Sequence, residues 1–245
     1  MSGHSKWNNI KHKKEKTDAQ RAKVFTKIGK EINVAVKEGG PDPTSNSKLR
    51  DLIIKAKANN VPNDNIERII KKAAGGDGDN YDEITYEGYG TGGVAVIVET
   101  LTDNRNRTGS DMRHYFDKFG GNLGTSGCVS FMFDTKGVIV IESEDIDENK
   151  LVDDVLECGA DDVSHEGDVF EIFTDPKDVG AVAEALEQRG YTYVSAEAEK
   201  IPQNYVNLTD EDQVSKMQRL LEMLDDDEDV QNVWHNWGNE DEFQE

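Results

Sequence analysis

Cations crowd the start of this 245-residue chain. Lys6, Lys11, Lys13, Lys14, Lys16, Arg21, Lys23, Lys27 and Lys30, with Trp7 and His12 among them, meet only Glu15, Asp18 and Glu31 before Lys37. Lysines at that density neutralise phosphates and release counterions, giving an affinity that tolerates any base sequence and falls with salt. Trp7 adds a flat ring on which an unpaired base could stack. Charge runs also occur as solvated helix faces or soluble tails, and this one could meet acid within the same chain. The wider balance favours phosphate. Met1–Gly75 holds 17 basic and 8 acidic residues, net +9, whereas the remainder holds 11 basic and 42 acidic, net −31. The overall charge of −22, which alone would argue against nucleic acid, hides two ends of opposite sign.

A second constellation is a pair of loops around one helix. Asp103-Asn-Arg-Asn-Arg-Thr108 enters a helix that begins near Gly109, and Gly120-Gly-Asn-Leu-Gly-Thr-Ser-Gly127 leaves it. Asn104, Arg105 and Arg107 offer forked donors to phosphate or base edges, helix N-termini favour anions, and glycines permit close backbone approach. The same residues could instead be structural: Asn104 and Thr108 as caps, the arginines in surface ion pairs, the glycines as turns. Neither loop is a P-loop or a dinucleotide fingerprint.

Catalysis finds little in the residues. His4, His12, His114, His165 and His235 show no metal-ligand spacing, and no metal or cofactor is expected. Cys128 and Cys158 form no CxxC pair, and Cys128 reads as a small buried apolar residue. Asp225–Asp229 lacks the glycine and spacing of a calcium loop and reads as a solvated stretch that ends a helix. Phe131 and Phe133 read as core, since no basic RNA-recognition motif surrounds them.

These residues need elements to hold them. Ala22, Phe25, Ile28, Ile32 and Val36 line one face of a helix from Asp18 to Glu38, stopped by Gly39-Gly40-Pro41, and Lys16, Lys23, Lys27 and Lys30 lie opposite. A second helix covers Ser47–Asn59, and Asp64-x-x-Glu67 resembles a capping box opening a third. Gly75–Asn80 is a polar linker. Beyond it, strand 138–142, helix 149–158, strands 161–165 and 169–174, helix 176–189 and strand 191–199 spell βαββαβ, the ferredoxin-like order. The flanking pieces repeat it: strand 94–102, helix 108–119 and strand 128–133 before, strand 205–208, helix 210–224 (Thr209 its N-cap) and strand 230–235 after, with 81–87 as a lead-in strand.

The fold class expected is therefore α+β, an N-terminal three-helix domain plus two ferredoxin-like βαββαβ domains, one inserted into the other. Its parts are a basic arm and helical domain at 1–75, a discontinuous domain at 81–134 plus 203–236, an inserted domain at 137–200 and an acidic tail at 237–245. The longest apolar runs, Val94–Val98 and Val138–Ile141, are far short of a membrane span, and the start lacks a secretory signal, so a cytoplasmic monomer with no membrane partner is expected.

Gly3-His-Ser-Lys-Trp7, Tyr86-Glu-Gly-Tyr-Gly90, Leu101-Thr-Asp-Asn-Arg-Asn-Arg-Thr108, Gly120-Gly-Asn-Leu-Gly124 and Asp229-Val-Gln-Asn-Val233 together resemble the YebC/PmpR family. Thr91 stands where that family has proline, Asn8 replaces a common alanine, and Trp237–Glu245 runs past the usual end. The resemblance implies three domains and a probable transcriptional regulator, with DNA binding attributed to some members. Other members are translational activators, and bacterial relatives are linked to ribosomes stalled on proline-rich stretches.

The function expected is thus a non-enzymatic nucleic-acid-binding regulator of gene expression, binding DNA through its basic N-terminal region. The alternative is a ribosome-associated translation factor whose arm meets ribosomal RNA. The expected contacts are Lys6, Trp7, Lys11, His12, Lys13, Lys14, Lys16, Arg21, Lys23, Lys27 and Lys30, with Asn104, Arg105 and Arg107 as second contacts.

Overall fold

Apolar residues at helical spacing build the N-terminal part. In the computed structural model, which describes residues 18–76 and 78–243, helix α1 spans Asp18–Gly39, α2 Ser47–Ala58 and α3 Asn63–Ala74. Ile28, Ile32, Ala35 and Val36 of α1 close on Leu49, Ala56, Val61, Ile66 and Ala73. Asn46 joins the first two helices. Its oxygen accepts from Leu49 N–H (3.0 Å), while its amide donates to the carbonyls of Ala35 and Gly40 (both 2.8 Å). The capping box expected at Asp64 and Glu67 does not open α3. Pro62, extended at φ −60°, precedes the first turn directly and no side chain caps it.

Strands and two further helices follow. β1 (Asp82–Tyr89) and β2 (Ala95–Thr102) form a hairpin through Gly92 and Gly93, both at positive φ. After α4 (Arg105–Lys118) comes a two-residue strand β3 (Asn122–Leu123). The chain then passes through the inserted region and returns as α7 (Glu211–Asp226) and β8 (Val230–His235). The sheet order is β3-β1-β2-β8, with every pair antiparallel. Alternation along β2 sends Val96 and Val98 to the face that α4 and α7 cover through Met112, Phe116, Met217, Leu220 and Leu224. Ala95 and Ile97 point to the other face, against Val129 and Phe133.

This is the ferredoxin-like order, but two expected strands are replaced. The lead-in strand is interior, paired with β2 along its whole length. Cys128–Phe133 is not a ladder strand: a 3-10 turn at Ser130–Met132 crosses the helix-free face, burying Val129 and Phe133 and leaving Phe131, expected in the core, 70% exposed. Residues 205–208 contribute a single bridge, Val206 to Trp237. Of the residues expected as an acidic tail, Trp237, Asn239 and Phe243 pack. Trp237 is 0% exposed and stacks on Phe243, and its indole N–H donates to Asn239, whose side chain in turn pairs with both backbone groups of Leu208. An indole of that size finds more stabilisation against Leu208 and its neighbours than in water.

The second compact unit, Asp134–Ile201, matches the order read from the sequence. β4 (Phe133–Glu142), α5 (Glu148–Glu157), β5 (Asp162–Glu166), β6 (Val169–Thr174), α6 (Val179–Gln188) and β7 (Ser195–Pro202) form a sheet ordered β5-β6-β4-β7. Ile139, Ile141, Phe170 and Ile172 of the sheet pack on Leu151, Val155, Val182 and Leu186 of the helices. The first unit comprises, among the described residues, 18–133 and 202–243, so the three helices and the discontinuous sheet belong together.

Candidate nucleic-acid interface

Three of the α1 lysines meet carboxylates and carbonyls of this unit. Lys23 Nζ lies 2.8 Å from Asp226 Oδ1. Lys27 Nζ donates to the Asp225 carbonyl at 2.6 Å, with the Asp225 carboxylate at 3.8 Å. Lys30 Nζ donates to Asp229 Oδ1 (2.6 Å), the Glu228 carbonyl (2.9 Å) and the Leu101 carbonyl (3.3 Å). Spaced i, i+4 and i+7, these lysines lie on one helix face, where they meet the C-terminal turn of α7. The last carbonyls of a helix have no intrahelical partner and its dipole disfavours acids there, and the ammonium groups offset both.

Asp229 is the centre of the arrangement. It is 6% exposed, and besides Lys30 it accepts from Arg107 Nη2 (2.7 Å), Thr108 Oγ1 (2.8 Å) and Thr102 Oγ1 (3.1 Å). One carboxylate thereby holds α1, the end of β2 and the first turn of α4. Burial opposes its ionisation, but the bonds from Arg107, Lys30 and Thr108 outweigh burial and bring its pKa down to about 2. Its own bond to Asp229, with one to Asp103 at 2.8 Å, pushes the Arg107 guanidinium further up. A carboxyl depressed in the folded state stabilises fully above its ordinary value of 3.8 and loses that contribution as pH falls through about 2. Acid titration of unfolding free energy should therefore show a loss on the order of 2 kcal/mol between about pH 4 and pH 2, absent in Asp229→Asn.

The loops around α4 are also held from within. Asn104 is the N-cap, accepting from Arg107 N–H at 3.1 Å, and the helix starts at Arg105 rather than near Gly109. Arg105 extends outward, its side chain 68% exposed and 3.9 Å from Asp82. The glycine loop is anchored by Glu87, a buried carboxylate that accepts the N–H groups of Gly127 (2.7 Å), Val129 (2.9 Å) and Ser130 (2.8 Å). Burial raises its pKa, yet these three donors hold it below the usual carboxylate range. They also remove the backbone donors that a strand at 128–133 would need.

Of the residues expected to touch nucleic acid, Lys23, Lys27, Lys30 and Arg107 come together around the Asp225–Asp229 segment. Asn104 adjoins them as a cap, Arg105 is exposed beside them, and Arg21 is exposed near the start of α1. Lys6, Trp7, Lys11, His12, Lys13, Lys14 and Lys16 lie outside the described residues. Asp229 and Glu87 were not among the expected functional residues. The lysine spacing opposite an acidic run was the one signal for the first, and none marks the second. No helix among the described residues is long and apolar enough to cross a membrane.

Comparison with known proteins bears on both ends of the chain. Residues 5–76 match the family described as TACO1/YebC protein N-terminal domain, and residues 81–237 match the TACO1/YebC second and third domain. A probable transcriptional regulatory protein of Acetivibrio thermocellus is 60% identical over 239 residues, covering 97% of this chain and 99% of its own. One of Ruminiclostridium cellulolyticum is 58% identical across the whole of both chains. The crystal structure of a conserved hypothetical protein from Aquifex aeolicus superposes with a TM-score of 0.82 at 45% identity, covering 91% of this chain and 92% of that one.

Proposed function

Because the chain belongs to the TACO1/YebC family, we propose that it is a DNA-binding regulator of gene expression, acting in the cytoplasm as a monomer and by binding rather than catalysis. The observation that supports this most is the segregation of charge, net +9 over Met1–Gly75 against −31 over the rest. Relatives named as transcriptional regulatory proteins support the regulatory half of the reading.

In this reading Lys6, Lys11, Lys13, Lys14, Lys16 and Arg21 hold phosphates, Trp7 and His12 assist, and Arg105 is a second contact. Lys23, Lys27, Lys30, Asn104 and Arg107 keep the surface in shape. The acidic remainder repels polyanions and restricts binding to one face. If about five phosphates are contacted, log K for duplex DNA should fall with log[salt] at a slope near −4.5, and deleting Met1–Lys16 should flatten it. A full-length chain with a flat salt dependence would sink the proposal. Sedimentation with ribosomes, released by RNase and not DNase, would move the reading to ribosomal RNA.

A further inference from the structure

With Lys23, Lys27 and Lys30 engaged by Asp225–Asp229, and Lys37 by the carbonyls of Gly78 and Asp79, a group of exposed cations remains on α2 and α3. These helices are joined by a four-residue turn, 59–62, in which Asn60 adopts φ +58°. Asn59 Nδ2 donates to the Lys55 carbonyl at 2.8 Å, and Val61 is buried beneath the turn. The turn has the length of the one in a helix-turn-helix, but the cations of the second helix lie toward its C-terminal half, which suits the phosphate backbone rather than base edges.

The second helix here, α3, buries Ile66 and Ala73 and turns Arg68, Lys71 and Lys72 outward, neighbours on one face at i, i+3 and i+4. Among the described residues Arg68 bonds only the neutral side chain of Asn65, at 3.2 Å. Lys72 has Asp79 at 3.5 Å, with both side chains more than half exposed, a pair weak enough to exchange for phosphate. Lys57, exposed at the end of α2, and Lys71 have no carboxylate within 4.0 Å among the described residues. Lysines in the last turn also suit the helix dipole, but that accounts for neither Arg68 nor Lys57. Asp64 and Glu67, in the first half of α3, turn that end away from a polyanion and leave the C-terminal half to meet it.

We infer that Arg68, Lys71 and Lys72, with Lys57 beside them, form a docking surface for the phosphate backbone of duplex DNA. The inference rests on the DNA-binding reading above and places a contact where that reading has none.

The test is fluorescence anisotropy of labelled duplex DNA, and of matched duplex RNA, with the full chain. Arg68→Glu/Lys71→Glu/Lys72→Glu should weaken DNA binding about tenfold or more and reduce the salt slope by about 0.9 per phosphate lost, about 2.7 in all. The alanine triple variant at the same positions should lose affinity in the same direction with its melting temperature kept. A control of equal charge change, Lys136→Glu/Lys150→Glu/Lys177→Glu in the inserted domain, separates a local contact from a mere change in net charge and should stay within about twofold of wild type. Wild-type affinity in the α3 variants, a loss no greater than the control's, or a loss confined to RNA overturns this inference alone. A wild-type chain with no affinity for duplex DNA overturns the functional reading and this surface with it.

Discussion

Replacing Asp229 by alanine should destabilise the unit formed by 18–133 and 202–243 by about 3–5 kcal/mol, the cost of breaking a buried ion pair from one side. Lys30, Arg107, Thr102 and Thr108 all direct donors at this carboxylate, and the change leaves an ammonium group 11% exposed facing a cavity. For a unit of this size the loss corresponds to roughly 6–20 °C in melting temperature. Calorimetry should show it in one transition, with the inserted unit unaffected. Adding Lys30→Met to Asp229→Ala should recover part of it, since the second change removes the stranded charge. A loss below about 1 kcal/mol would mean that water replaces the carboxylate, and the central role assigned to Asp229 would fall.

Trp237→Ala should cost a similar amount, about 3–5 kcal/mol, as other fully buried aromatics do when truncated. The indole packs into the core shared by α4, α7 and β2, stacks on Phe243 and sends its N–H to Asn239. Stopping the chain after Asn236 should do at least as much damage, because Asn239 also satisfies both backbone groups of Leu208. Urea unfolding of the two variants would settle the matter. A solvated tail would lose nothing, so an unchanged midpoint refutes the packing described here.

The contrast between Trp237 and the inserted unit shows what a single sequence carries. Helix α1 and the order of β4 to β7 were legible because their apolar periods are local and their stops, such as Gly39-Gly40-Pro41, are chemically marked. Cys128–Phe133 has the alternation of a strand in Val129, Phe131 and Phe133, yet Glu87, forty residues away, takes its backbone donors and bends it into a turn. Asp225–Asp229 reads as solvated because most acidic runs are. Asp225, Asp226 and Glu228 are indeed exposed, but Asp229 is buried among Lys30, Arg107 and Thr108, and nothing in its own neighbourhood announces partners 121 to 199 residues distant. The folding class is a local property here; the wiring of charges is not.

The pair Lys30–Asp229 spans 199 residues, which makes it a matter of time as well as geometry. A ribosome adding about 5–20 residues per second needs roughly 10–40 s to make the second partner after the first. For that interval α1 exists without the segment that will cover its lysine face, next to the polyanion that is synthesising it. A stretch made late is the one that covers a helix made early.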